Sequence, residues 1–523
     1  MNQNAPKIFT AWIHPLLIGI YPVITLLAHN IDELAVEDGI RSLYLSFLLP
    51  VILLIIFYLF IKNWQKSALV VTLFILLFFS YGHIYSAIEH LQIFNFVIGR
   101  HRFLIIGWAG LFLLGSWWVK IRNEDMQNLT NTINLVAIVS VIMPVFQIIG
   151  SQINSERIQS QPLQTEFNNQ IFQIPSGQTP PDIYYIILDE YSRDDALETI
   201  FGFDNSPFLG NLEDLGFYIA NCSQSNYSQT QLSLSSSLNM NFIEEIVWRE
   251  ELERNDHTRL GKLIKDPEIW RILQRFDYQL ISFETGYIWS QNDDADIFLG
   301  PNQNLSENQR LSLIFNNFEI ILLKSSAALI ALDGNFLLPQ ESTQKIFNPD
   351  IRHREIVLFT LDQLELLAAT PGPKFVFAHI VSPHIPYVFE PDGSMPKSTP
   401  DDDIGYINQI KYLNSRIEKI ADTLISKSST PPIIIIQGDH GQSSSRVDRM
   451  RILNAYYFPN QDYQNLSPNI SPVNSFRVIL NAYFDGNLPL LENSSYFSMT
   501  TSPYTFNDMP ETQEECITVG NSP

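Results

Sequence analysis

Cysteine is nearly absent from the 523-residue chain, in which Cys222 and Cys516 are the only two. That count excludes a disulfide-stapled scaffold and a cysteine-rich zinc site, and leaves room for one bridge outside the cytoplasm. Basic residues are also scarce, 32 Lys and Arg against 55 Asp and Glu. An acidic surface repels a phosphate backbone, so nucleic acid is not expected as a partner. The scarcity is uneven. Residues 1–150 hold 8 basic and 7 acidic residues, which leaves 24 basic and 48 acidic for the remainder. An anionic substrate that approaches so acidic a region needs a bound cation or local arginines to reverse the field.

What the first 150 residues have in place of charge is hydrocarbon. Five apolar stretches, at 8–29, 43–61, 67–88, 103–119 and 132–150, each approach the roughly 20 residues that cross a bilayer as a helix. The stretches LYLSFLLPVILLIIFYLFI and SALVVTLFILLFFSYGHIYSAI contain no Lys, Arg, Asp or Glu. A cleaved signal peptide does not explain five segments. Lys7, Lys62, Lys66, Lys120 and Arg122 fall on one side of these spans, and Asp32, Glu33, Glu37 and Asp38 with Arg41, then Arg100 and Arg102, on the other, a modest basic excess on the first side. The positive-inside tendency then puts the N-terminus in the cytoplasm and everything after about residue 150 outside it. Few charges lie within the spans, which offers little for a transporter's path.

Residues 151–181 are rich in Gln, Ser, Asn and Pro and read as a linker. From 182 to 523 the chain alternates short apolar runs with longer amphipathic stretches. The strand candidates are IYYIIL (183–188), YQLISF (278–283), FVFAHIV (375–381) and IIII (433–436). Helical patterns lie between them, at 261–275, 351–369 and 406–426. Near-continuous hydrophobicity marks strands covered on both faces, so an α/β domain with a largely parallel sheet is expected. The polar tail from about 486 is expected to be peripheral.

In such sheets ligands bind beyond the carboxyl ends of the strands. Those ends carry Asp189-Glu190-Tyr191-Ser192 after the first run, Ser382-Pro383-His384 after the third and Gln437-Gly438-Asp439-His440-Gly441 after the fourth. Carboxylate and imidazole together suit a divalent metal ion, zinc or manganese. His379 points from within a strand and is the poorer candidate. Arg446, Arg449 and Arg451 follow the Asp-His motif and read either as anion binders or, by preference, as a solvated loop.

The series PDIYYIILDEYS, SNYSQTQLSLSSSLNM, HIVSPHIPY and QGDHG, in that order, resembles the sulfatase-like branch of the alkaline-phosphatase superfamily. Behind five spans it looks most like the lipoteichoic-acid synthases and phosphoethanolamine transferases. The resemblance covers about residues 181–485 and implies an extracytoplasmic sulfatase-like catalytic domain. It implies metal ligands at Asp189, Asp439 and His440, with Glu190 beside them, and a His384 that contacts the transferred or leaving group. It also implies a nucleophile at Thr230, ahead of the small-residue helix start, with Ser228 as runner-up. Type-I sulfatases oxidise a Cys or Ser in a Cys/Ser-x-Pro-x-Arg setting. Cys222 is followed by Ser-Gln-Ser-Asn, which lacks the Pro and the Arg. Phosphoryl-type transfer through an unmodified Thr is therefore expected ahead of sulfate-ester hydrolysis, with an anionic ester or membrane phospholipid as substrate. A sulfate or phosphate ester hydrolase and a catalytically silent membrane scaffold are the rival readings.

Overall fold

The apolar runs near the start of the chain form helices in the computed structural model. It describes all residues except 1–11, 32–33, 35, 90, 94–95, 98, 123–124, 161–166, 168–169, 253–256, 302–314, 334–347 and 512–523. Lys7, Asp32, Glu33, Glu124 and Cys516 lie outside the described residues. The chain divides into two compact units, 1–156 with 305–349, and 157–304 with 350–523.

The first unit contains α1 (Ile13–His29), α2 (Val36–Ile61), α3 (Trp64–Ile88), α4 (His101–Ile121) and α5 (Gln127–Ser160). Four of them are long and apolar enough to cross a membrane, and α1 is a shorter apolar helix of 17 residues. Phe60, Ile106, Met143 and Phe146 stand exposed on their outer faces. Apolar side chains turned outward along whole helices suit a hydrocarbon surround, where backbone polar groups must be satisfied inside each helix. Trp117 and Trp118 are also exposed, and the Arg122 guanidinium lies over the Trp118 ring at 5.1 Å. The described residues among 305–349 group with these helices. Their helix Asn317–Lys324 starts with a capping box in which Asn316 Oδ1 accepts from Glu319 N at 2.8 Å. Glu319 also pairs with Arg41 of α2, and Phe318 and Leu322 pack with Val23 and Leu27 of α1.

The second unit is built on a seven-stranded sheet. Its strands are β1 (Ile183–Leu188), β2 (Tyr218–Ile219), β3 (Gln279–Phe283), β4 (Ile297–Leu299), β5 (Lys374–Ile380), β6 (Ile433–Gly438) and β7 (Asn454–Tyr457). The spatial order is β2-β7-β6-β1-β5-β3-β4. Strands β6, β1, β5, β3 and β4 run parallel, and β7 and β2 add antiparallel pairs at one edge. Both faces are covered. Tyr184, Ile186 and Leu188 face helices Pro349–Leu367 and Asp402–Lys427, while Ile183, Tyr185 and Ile187 face α6 (Thr230–Asn239) and the helix Ser475–Tyr483. Two-sided burial explains why these strands read as unbroken apolar runs.

The tail is not peripheral. Strands β8 (Ser495–Met499) and β9 (Ser502–Met509) form an antiparallel hairpin. Tyr496 N donates to Asn226 O at 2.9 Å and Ser498 N to Ser228 Oγ at 3.2 Å, which pins the hairpin to the loop before Thr230. The polar side chains that suggested solvent serve there as hydrogen-bond partners.

At the amino end of the sheet, Lys374 is fully buried and pairs with buried Asp182. Removing one member leaves the other charge uncompensated, at a cost of about 3–5 kcal/mol. Lys374→Met, which keeps the volume, is expected to lower the thermal unfolding midpoint of the full chain in detergent. An unchanged midpoint would show that Asp182 needs no partner.

Candidate active site at the carboxyl ends of the central strands

The register of the three central strands decides what meets what. Leu188 of β1 pairs with Ile380 of β5 on one side and with Gly438 of β6 on the other. All three strands therefore end at one level, and Asp189, Val381 and Asp439 leave them side by side, with Ser382 one residue on.

Asp189, Asp439 and His440 are buried, and one ligand atom from each lies within 4.8 Å of the other two. Asp439 Oδ1 accepts from Glu190 N at 2.9 Å, whereas Asp439 Oδ2 and Asp189 Oδ1 are buried without a hydrogen-bond partner. The Glu190 backbone sits in the left-handed region, φ 65°. His440 Nδ1 is 3.3 Å from Gly441 O, an atom that can only accept, so Nδ1 carries the proton. His440 Nε2 faces Arg449 Nη2 at 3.3 Å, a group that can only donate, so it presents its lone pair, and it lies 3.4 Å from Asp439 Oδ2. A carboxylate oxygen and an imidazole lone pair facing each other in a buried place repel unless a cation stands between them. The donor set and its orphaned oxygens therefore fit a divalent metal ion.

The glycines of the QGDHG loop are required by close approach. A Cβ at Gly438 would lie 2.3 Å from Tyr191 O, and one at Gly441 would lie 2.7 Å from Arg451 O. The serines of the Ser/Thr segment hold the same loop from below. Ser225 Oγ and Ser233 Oγ both donate to Asp439 O, at 2.6 and 2.8 Å. Their role is invisible in a composition that reads as low in information.

Thr230 is the first residue of α6, half-buried, with its Oγ1 3.2 Å from His440 Nε2. Since Nε2 is an acceptor, the Thr230 hydroxyl is the donor. Gln229 occupies the N-cap and makes no side-chain cap bond, so Thr230 does not serve as the cap. Ser228 is placed differently. Its Oγ is buried and exchanges bonds with Ser498 O and Ser498 N, both at 3.2 Å, so its hydroxyl is committed to the hairpin.

His384 stands on the loop after β5, with Nδ1 2.7 Å from Ile385 O and Nε2 4.0 Å from Glu190 Oε2. Gln409 fixes that loop, donating to Pro383 O at 3.0 Å and His384 O at 3.2 Å. Burial lowers the proton affinity of His384, but the charges of Asp189 and Glu190 outweigh it and hold its pKa above the ordinary imidazole value. Burial likewise pushes the Asp189 carboxyl up. The bond from His379 and the charges of His384 and His440 reverse this and leave it below the usual carboxylate range.

Two residues that the sequence argued against are here. His379 Nε2 lies 3.2 Å from Asp189 Oδ2. Alternation explains it, because His379 pairs with Ile187, which shares a face with Asp189 two residues on. Arg449, which was expected in a solvated loop, points inward instead. Its Nη1 is 3.3 Å from Glu190 Oε1, its Nη2 3.3 Å from His440 Nε2, and its Nε donates to Ser228 O at 2.9 Å. The other two arginines lie elsewhere, Arg446 over the Phe497 ring at 4.8 Å and Arg451 beside Asp195 at 3.4 Å. Thr230, His384, Asp189, Asp439 and His440 are thus brought together, with Arg449 as the cation among them.

A family model described as Sulfatase matches residues 181–478. No curated protein matches the chain. Among solved structures, it is similar to the C-terminal periplasmic domain of EptC from Escherichia coli in complex with zinc, at 12% identity over 67% of this chain and 97% of that one, TM-score 0.44. It is similar to an integral membrane lipooligosaccharide phosphoethanolamine transferase from Neisseria meningitidis, at 13% identity over 91% and 95%, TM-score 0.40. A lipoteichoic acid synthase from Listeria monocytogenes matches at 13% identity over 66% and 82%, TM-score 0.38.

Proposed function

The chain belongs to the sulfatase family, and from that premise we propose that it is a membrane-anchored, metal-dependent enzyme that transfers phosphoryl-type groups through a covalent intermediate on Thr230. The observation that carries the reading is the Thr230 hydroxyl, 3.2 Å from His440 Nε2 at the edge of the buried Asp189, Asp439 and His440 set. The catalytic unit works outside the cytoplasm, and a phospholipid headgroup is the donor that shares its membrane surface.

Asp189, Asp439 and His440 would hold the metal ion, zinc or manganese, which when bound supplies Lewis-acid stabilisation of a phosphoryl oxygen. The rest falls to the side chains. Thr230 Oγ1, its proton released to water, attacks phosphorus at the amino end of α6, where backbone N–H groups favour negative charge. The bond from phosphorus to the leaving alcohol oxygen breaks, and His384, whose proton affinity the charges of Asp189 and Glu190 raise, gives that oxygen a proton. Arg449 offsets the anionic charge of the group being transferred. An acceptor alcohol or water gives its proton to the now neutral His384, attacks the same phosphorus, and the bond from phosphorus to Thr230 Oγ1 breaks to free Thr230. Cys222 is buried and lacks the Pro and Arg that formylglycine formation requires, which favours Thr230 over sulfate-ester chemistry.

The test incubates the full-length protein with headgroup-labelled phospholipids and, separately, with aryl phosphate and aryl sulfate esters. Release of diacylglycerol or aryl phosphate turnover supports the reading. Turnover of the sulfate ester alone would make the chain a sulfatase in the strict sense, and no turnover with no bound metal would make it a scaffold.

His379 orients Asp189 through its hydrogen bond. His379→Phe is expected to weaken both divalent-metal binding and turnover by about 10- to 100-fold. Metal titration and rates on the same preparation check this, and an unaltered affinity would leave His379 without that role.

A further inference from the structure

The membrane-helix unit contains a groove of about 250 Å³ between α3, α4 and the segment after Asn317–Lys324. Phe74, Phe78, Trp108, Ala109, Ala327 and Ile330 are among its walls. The groove is built into the backbone. Ala327 N donates to Phe78 O at 2.7 Å, Gly82 N to Ser325 O at 3.1 Å, and Trp108 Nε1 to Leu77 O at 2.9 Å. A Cβ at Gly82 would fall 2.1 Å from Lys324 O, so glycine is needed for the segment to seat there. Ile105 and Ala109 are exposed, which leaves the groove open on its outer side.

One end of the groove is polar. Tyr81 lines it, and its hydroxyl lies 2.9 Å from His101 Nδ1, while His101 Nε2 lies 3.0 Å from Asp333 Oδ2. Tyr85 stacks on His101 with ring centroids 4.0 Å apart. Exposed Arg100 and Arg102 flank His101 at the amino end of α4. An apolar channel that opens to hydrocarbon and ends in aromatic, imidazole and carboxylate groups, with guanidinium groups on the adjoining residues, matches an amphiphile whose chain enters the groove and whose polar head stays at that end. Its volume suits part of one chain.

We propose that this groove binds one acyl chain of a membrane phospholipid, with the headgroup toward the end marked by Tyr81, His101 and the flanking arginines. The binding needs nothing from the reaction at the strand ends.

The test places the full-length protein in phosphatidylcholine nanodiscs that contain a phosphatidylglycerol with a diazirine near the end of one chain, and maps the photolabel by peptide mass spectrometry. Label is expected to concentrate at 74–78, 105–112 and 327–330. Ala109→Trp, which fills the groove, should cut it there by tenfold or more, and the milder Ala109→Leu by a smaller factor. Label at the outward-facing Phe60 and Phe146 should stay constant and serves as the control for folding. Label spread evenly over the helices, or unchanged in both variants, overturns the proposal. Disulfide coupling of two Ala109→Cys chains in place of lipid label would give the groove to a second copy and overturns it as well. None of these outcomes bears on the Thr230 chemistry.

Discussion

Thr230→Ala is expected to lower turnover by on the order of 10⁴-fold while the protein stays folded, because a lost nucleophile is not replaced by its neighbours. The fold should survive because Thr230 is half-buried at the start of α6 and is not the cap of that helix. Thr230→Ser keeps the attacking oxygen and should retain a measurable rate. Ser228→Ala is the contrasting case. It removes two bonds to the β8–β9 hairpin and should cost about 1 kcal/mol of stability per bond with turnover largely kept. Rates with one ester and unfolding midpoints for the three variants separate these effects. A full rate in Thr230→Ala, or the large loss in Ser228→Ala instead, would sink the assignment of the nucleophile.

Asp439→Asn should have the second large effect. The side chain is completely buried, and asparagine can keep the acceptor that Glu190 N uses while removing the charge. Its amide would also donate to His440 Nε2, at the place where the carboxylate oxygen now faces that lone pair at 3.4 Å. Folding should therefore persist while the divalent ion is lost. Lewis-acid stabilisation of several kcal/mol goes with it, which is roughly 10³-fold in rate. A chelator applied to the parent protein should produce the same loss, and adding zinc or manganese should restore the parent but not the variant. Unchanged metal content in Asp439→Asn would remove Asp439 from the ligand set.

Much of the second unit is legible in its sequence because burial on both faces leaves a plain record. IYYIIL, the run around FVFAHI and IIII become the three central strands within a residue or two. The edge is harder to read. Asn454–Tyr457 and Tyr218–Ile219 are short, and their polar and aromatic mixture carries no clear period. The site divides the same way. Residues that leave the strand ends, Asp189, Asp439 and His440, can be found by looking where parallel strands stop. His379 was obscured because the deciding fact is its register against Ile187, a relation between distant segments. Arg449 was obscured because a charge run on a loop usually faces water, and only the fold brings Glu190 and His440 to it. The groove beside Tyr81 depends on residues 325–330 meeting α3, a pairing across more than two hundred residues that no local pattern records.

The central claim is the covalent step. The most direct test mixes the full-length protein with a headgroup-labelled phospholipid, quenches in acid within a turnover and sequences the labelled peptide by tandem mass spectrometry. The account predicts a phosphoryl-type adduct on Thr230, absent from Thr230→Ala and cleared when an acceptor alcohol is added. Steady turnover with no adduct at any time point, or an adduct on a residue other than Thr230, would contradict it.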